Sequence, residues 1–175
     1  MIKTNNLQLL TVERIHKEAF LRNKSELAAI LNVTVPESWP QFPEAFALSS
    51  NETHQLNPPA TGWCGYFFID PINRVLVGNG GFKGPPDQSG MVEIGYEIAA
   101  EYWNRGLATE AAQGMIDYAF AHEEVQAVMA HTLAEKNASN SVLQKVGMKF
   151  IAEVSDPEEG KIWRWQICRD EYDPT

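Results

Sequence analysis

Val92-Glu93-Ile94-Gly95-Tyr96-Glu97-Ile98, then Ala99-Ala100-Glu101-Tyr102, then Trp103-Asn104-Arg105-Gly106-Leu107-Ala108-Thr109-Glu110 is the stretch whose reading decides the fold. Its β-formers give a strand, a short loop follows, and the chain enters a helix whose first turn is Asn-Arg-Gly-Leu-Ala. The first amides of a helix have no partners inside it, and the helix dipole adds partial positive charge there. Together they hold a phosphate or pyrophosphate without needing a basic side chain. Gly106 and Ala108 are small enough to let an anion reach the backbone, while Thr109 offers a hydroxyl and Arg105 a charge.

Working outward, Leu107, Ala111, Ala112, Met115, Ile116 and Ala119 recur at helical spacing, so the loop leads into a strongly amphipathic helix. Downstream, residues 125–133 read as a buried strand and 138–146 as a shorter helix. Residues 150–154 and 161–167 then form a last hairpin around Asp156-Pro157-Glu158-Glu159-Gly160. Upstream, the β-rich run 63–69 meets the turn Asp70-Pro71-Ile72-Asn73, and the return strand begins at Arg74. The N-terminal part reads as a short strand at 7–10, a helix with Val12, Ile15, Ala19 and Phe20 on one face, and a second helix over 25–31. Pro36, Pro40 and Pro43 break the segment after that helix, and a further helix from about Pro43 to His54 closes that half. No repeat or linker divides the chain, so residues 1–175 are expected to form one domain. The element order predicts an α/β (α+β) fold, with helices on both faces of a mixed sheet.

Fourteen basic residues against twenty-three acidic ones leave a net charge of −9, which lacks the basic footprint that nucleic acid requires. A cationic substrate is compatible with that balance. No apolar run is long enough to span a bilayer, and the N-terminus lacks a signal-peptide pattern, so no membrane partner is expected. Cys64 and Cys168 have neither metal-type nor redox-type spacing and read as reduced thiols of a cytoplasmic protein. His122-Glu123-Glu124 lacks a second histidine at helical spacing, and no metal site is expected. Trp39, Phe42, Trp63, Tyr66 and Phe67 include candidates for a pocket wall. Trp39 and Phe42 stand out, because a proline-broken segment rarely buries both.

The segment from Trp103 to Ala108 resembles the acetyl-coenzyme A signature of the GNAT acetyltransferases, Gln/Arg-x-x-Gly-x-Gly/Ala, with Trp103 in the place of Gln or Arg. Tyr102-Trp103 followed by Gly106-x-Ala108-Thr109-Glu110-Ala111 is similar to the ribosomal-protein N-acetyltransferase branch, where a glycine stands at the place of Asn104. Asn137 to Met148 resembles a second segment of that branch, whose serine falls on Ser139 and whose asparagine falls on Lys136, one place before Asn137. By element order the resemblance covers roughly residues 62–168, tightest at 93–111 and 137–148.

That resemblance implies a GNAT fold, a mostly antiparallel sheet of about seven strands flanked by helices. It also implies an enzyme moving acetyl from acetyl-coenzyme A to a primary amine by direct transfer. Main-chain contacts to the pantetheine arm fall near Tyr96, Glu97 and Ile98. Trp103, Asn104, Arg105, Gly106, Leu107, Ala108, Thr109 and Asn137 complete the expected cofactor set. The amine must be deprotonated to attack, and Glu93, on the same strand face as Gly95 and Glu97, is the expected base. A strand carboxylate held in a salt bridge is the competing reading of Glu93. Leu143 stands where many members carry a thiolate-protonating tyrosine, which leaves Ser139 for that work. A helix N-cap is the other reading of Ser139. Trp39 and Phe42 are expected at the acceptor, with Glu37 and Glu44 nearby for a cationic amine. The acceptor is a protein N-terminus or a small amine, and homodimer formation is open. A different class also remains open, a silent acyl-coenzyme A-binding sensor or partner module.

Overall fold

The structure is a computed structural model and describes residues 1–46 and 62–173. Its centre is an eight-stranded sheet in the order β1-β2-β3-β4-β5-β6-β8-β7. The strands are β1 (Ile2–Lys3), β2 (Gln8–Thr11), β3 (Gly65–Asp70), β4 (Val75–Phe82), β5 (Met91–Ile98), β6 (Ala127–Leu133), β7 (Lys149–Asp156) and β8 (Gly160–Cys168). The helices are α1 (Arg14–Arg22), α2 (Lys24–Leu31), α3 (Leu107–Phe120) and α4 (Ala138–Lys145). All neighbouring strands are antiparallel except β5 and β6. The eighth strand is the two-residue β1, too short to show periodicity, which exists by pairing with β2. Pro43–Phe46 forms a 3-10 turn, and the rest of the helix expected as far as His54 lies outside the described residues.

The near-continuous apolar run of β3 follows from burial on both faces. Tyr66 and Phe68 join Val92, Ile94, Met115 and Ile116 in the core beneath α3. Phe67 and Ile69 point the other way, into a second core with Ala19, Leu27, Trp39, Phe46 and Leu76 under α1 and α2. Met115 and Ile116 are fully buried, and each contributes roughly 1.5–3 kcal/mol by leaving water.

Two features of the sheet create the site. The parallel ladder between β5 and β6 runs from Met91–Ala127 to Glu93–Met129 and ends there, so the remainder of β5 leaves β6. On the other side of β5, β4 crosses with glycines at 78, 80 and 81. A Cβ on Gly80 would stand 2.4 Å from the Gly95 carbonyl oxygen, closer than any side chain tolerates, so the close approach of β4 to β5 needs glycine there.

Candidate active site

The loop into α3 is built on two left-handed residues, Asn104 (φ 60°) and Gly106 (φ 77°). Asparagine tolerates that conformation better than other side-chain-bearing residues, which accounts for its standing where the resembling branch has glycine. A Cβ on Gly106 would meet nothing within 4 Å, so space lies open in front of the first amides of α3. These amides face a groove of about 460 Å³ lined by Tyr96, Glu97, Ile98, Trp103, Asn104, Gly106, Leu107, Ala108 and Thr109 on one side and Ser139, Val142 and Lys145 of α4 on the other.

Nine of the eleven residues expected along the cofactor therefore share one groove, and two do not line it. Arg105 folds away, its guanidinium over the Tyr102 ring at 5.1 Å and donating to the Glu101 carbonyl at 3.2 Å. Asn137 is the N-cap of α4, its side chain accepting from Asn140 N–H at 3.1 Å. The Trp103 indole N–H donates to the Ile98 carbonyl at 2.6 Å, so one lone pair of that strand-end oxygen is already in use. Lys145 supplies a cation that sequence reasoning missed, since a lysine on an exposed helix face carries no signal until the helix is placed.

Because Asn137 caps α4, Ser139 is free of that duty. Its hydroxyl lies 3.0 Å from the Tyr96 hydroxyl, across the groove. Tyr96 is largely desolvated, and burial pushes its phenol up to about 12, against the opposing hydrogen bond to Ser139.

A second cavity, about 590 Å³, adjoins the groove. Phe42, Phe46, Trp63, Tyr66 and Phe82 are among its walls, and Gly80, Gly81 and Gly95 leave its floor free of side chains. Phe42, Tyr96 and Glu97 line both spaces. Glu97 is 8% exposed and accepts from the Gln41 N–H at 2.8 Å through Oε2. Its Oε1 is buried without a hydrogen-bond partner among the described residues. Burial raises its carboxyl above the ordinary range, with the Glu44 carboxylate adding to the rise and the Gln41 and Phe42 amides and Asn79 opposing it. A carboxylate in that state is poised to take a proton.

Glu93 occupies the strand face expected of it but lines neither cavity. It is ion-paired to Lys83 and lies 2.9 Å from His131 Nδ1. Arg164 Nε donates to Nε2 of the same ring at 3.3 Å. Burial alone would lift the Glu93 carboxyl, but Lys83 and His131 outweigh it and hold it below the ordinary range. This is the salt-bridged arrangement, at the point on β5 where the strands part. His131, on β6, is its partner.

Trp39 is a correction. It is fully buried, with its indole N–H donating to Asn79 Oδ1 at 2.6 Å, and it packs edge-on to Phe20, Phe46 and Phe67. The proline-broken segment folds back over the sheet and drives Trp39 into the second core. Phe42, 55% exposed, is left at the cavities. Among the described residues no cluster of His, Cys, Asp and Glu is arranged to hold a metal ion, and no helix is long and apolar enough to cross a membrane.

A sheet that parts beside a phosphate-ready helix start is the arrangement expected of an acyl-coenzyme A-dependent transferase, and residues 7–149 match the acetyltransferase (GNAT) domain. The chain belongs to the GNAT family and is an acetyl-coenzyme A-dependent N-acetyltransferase. It is 28% identical over 149 residues to the Bacillus subtilis (strain 168) protein YjdG, named an uncharacterized N-acetyltransferase, covering 84% of this chain and 88% of that one. Its fold matches the ribosomal L7/L12 α-N-protein acetyltransferase RimL in complex with coenzyme A, with a TM-score of 0.68, 14% identity and coverage of 98% and 99% of the two chains. It also matches spermidine N-acetyltransferase from Vibrio cholerae in complex with coenzyme A and spermine, with a TM-score of 0.66, 17% identity and coverage of 95% and 98%.

Proposed function

We propose that this enzyme, a single domain, seats acetyl-coenzyme A in the groove between β5 and α4 and acetylates a primary amine presented from the aromatic cavity. The pyrophosphate sits on the first amides of α3 beside Thr109 and Lys145, where the helix terminus favours an anion. The pantetheine arm runs along the edge of β5 that β6 leaves unpaired. The acceptor is a small amine or a protein N-terminus, the two kinds of acceptor named for its structural neighbours.

One observation carries this reading: Glu97 stands where the two cavities meet. Its raised affinity for a proton suits it to deprotonate the incoming ammonium, directly or through one water. Glu93, the base expected from the sequence, is held as an anion by two partners outside both cavities, which suits it to strand anchoring instead. Ser139 then assists the departing thiolate. Transfer is direct: Cys64, the cysteine at the acceptor cavity, has its thiol raised by burial and is a poor nucleophile.

The test is thiol release from acetyl-coenzyme A with a panel of polyamines, amino acids and N-terminal peptides, comparing the parent with Glu97→Gln and Glu93→Gln. Acceptor-dependent turnover lost in Glu97→Gln and kept in Glu93→Gln supports the assignment. The opposite pattern returns the base to Glu93.

A further inference from the structure

We propose that Tyr96 is a positioning residue for the leaving group, donating its hydroxyl proton to Ser139 Oγ so that the serine O–H is aimed at the sulfur of the departing coenzyme A. The inference rests on Ser139 assisting the departing thiolate and adds to it a residue forty-three positions away.

The geometry supports it in three ways. The two hydroxyls are 3.0 Å apart, in hydrogen-bond range, and both line the groove. A hydroxyl has one proton to give and two lone pairs to receive with. If Ser139 donates its proton to Tyr96, none remains for sulfur, whereas donation from Tyr96 leaves the serine proton available. Ser139 is also released from capping, because Asn137 performs it. Tyr96 lies on the part of β5 that has left β6, where its backbone is near the thioester path and its ring reaches α4.

The chemistry balances without moving either hydroxyl proton. The amine nitrogen forms the bond to the acetyl carbon, the carbon–sulfur bond breaks, and sulfur leaves with the electron pair. The ammonium first passes one proton through Glu97 to solvent. The second proton, released by nitrogen as the amide forms, goes to the emptied Glu97 carboxylate, and the thiolate takes one from solvent later. A thiol is the stronger acid of the two, with a free value of about 8.5 against about 10 for an ordinary phenol. Burial widens that gap for Tyr96, so it acts as a persistent donor rather than a proton source. A chain of two donors strengthens the terminal hydrogen bond as negative charge grows on sulfur.

The experiment is a double-mutant cycle on kcat with Tyr96→Phe, Ser139→Ala and the double variant, alongside KM for acetyl-coenzyme A and coenzyme A affinity by calorimetry. The expected result is a fall of about tenfold or more in Ser139→Ala. Tyr96→Phe should fall about fivefold with KM within about twofold, and the double variant should be no slower than Ser139→Ala alone. Multiplying effects, or a Tyr96→Phe change confined to KM, overturn the proposal while leaving Ser139 in its role. An unchanged kcat in Ser139→Ala overturns both. Should Tyr96→Phe fail to fold, 3,5-difluorotyrosine at position 96 supplies the second arm. Its more acidic phenol ionises within the assay range and ceases to donate, so kcat must fall at the basic end; an unaltered profile refutes the relay.

Discussion

Replacing Glu97 with glutamine tests the catalytic assignment and the physics of its burial together. The substitution keeps the shape and lets the side-chain carbonyl go on accepting from Gln41 N–H, now made at 2.8 Å. It removes the ability to take a proton. Positioned general bases contribute about 10²–10⁴-fold, so acceptor-dependent kcat/KM should fall at least a hundredfold, roughly 2.7 kcal/mol of transition-state stabilisation. KM for acetyl-coenzyme A should stay within about threefold, because the proposed pyrophosphate site lies at α3, away from Glu97. Stability should move the other way. The folded carboxyl binds its proton more tightly than the unfolded one, whose ordinary value is 4.5. Stability from this group is therefore fully present below 4.5 and is lost as pH rises through the higher folded value. Glutamine carries no such penalty, so melting of Glu97→Gln relative to the parent should improve from about pH 4 to about pH 7.5. The assays are coloured detection of released thiol and thermal melting across pH. A variant retaining activity within about threefold, or a melting difference that worsens with pH, refutes the reasoning.

Glu93→Gln should keep kcat within about threefold. It should lose roughly 1 kcal/mol of stability at neutral pH, since the Lys83 side of the pair is solvent-exposed and weak. The sign is opposite to that of Glu97: the depressed Glu93 carboxyl stabilises above its unfolded value of 4.5 and ceases to as pH falls through the lower folded one, so denaturation of parent and variant should converge in acid. Gly106→Ala meets no steric obstacle but forces a Cβ into left-handed backbone. It should cost about 1–2 kcal/mol in urea denaturation and raise KM for acetyl-coenzyme A severalfold. Trp39→Ala should cost about 3–5 kcal/mol in the same assay, the signature of core rather than pocket.

Local rules made the cofactor side legible. The groove begins where a strand hands over to a helix, and the small residues at 106 and 108, the free amides, and a 3.6-residue apolar stripe from Leu107 to Ala119 are all written in contiguous residues. The short helix of the second segment, 137–148, is legible for the same reason, although its cap, read at Ser139, falls two residues earlier on Asn137.

The acceptor side was decided by tertiary structure. Strand alternation sets Glu93, Gly95 and Glu97 on one face and cannot choose among them. The choice is made where the β5–β6 ladder stops, at Glu93–Met129, and by the segment carrying Gln41 and Phe42, which folds back across β5 and closes over Glu97. The same long-range closure buries Trp39, and a partner forty-three residues away converts Ser139 from a candidate cap into half of a hydroxyl pair. Sequence by itself thus determined the helix start proposed to receive the anion, because short-range backbone geometry suffices for it. Which carboxylate is desolvated where the two cavities meet depends on what distant chain excludes the water, and only the folded sheet supplies that.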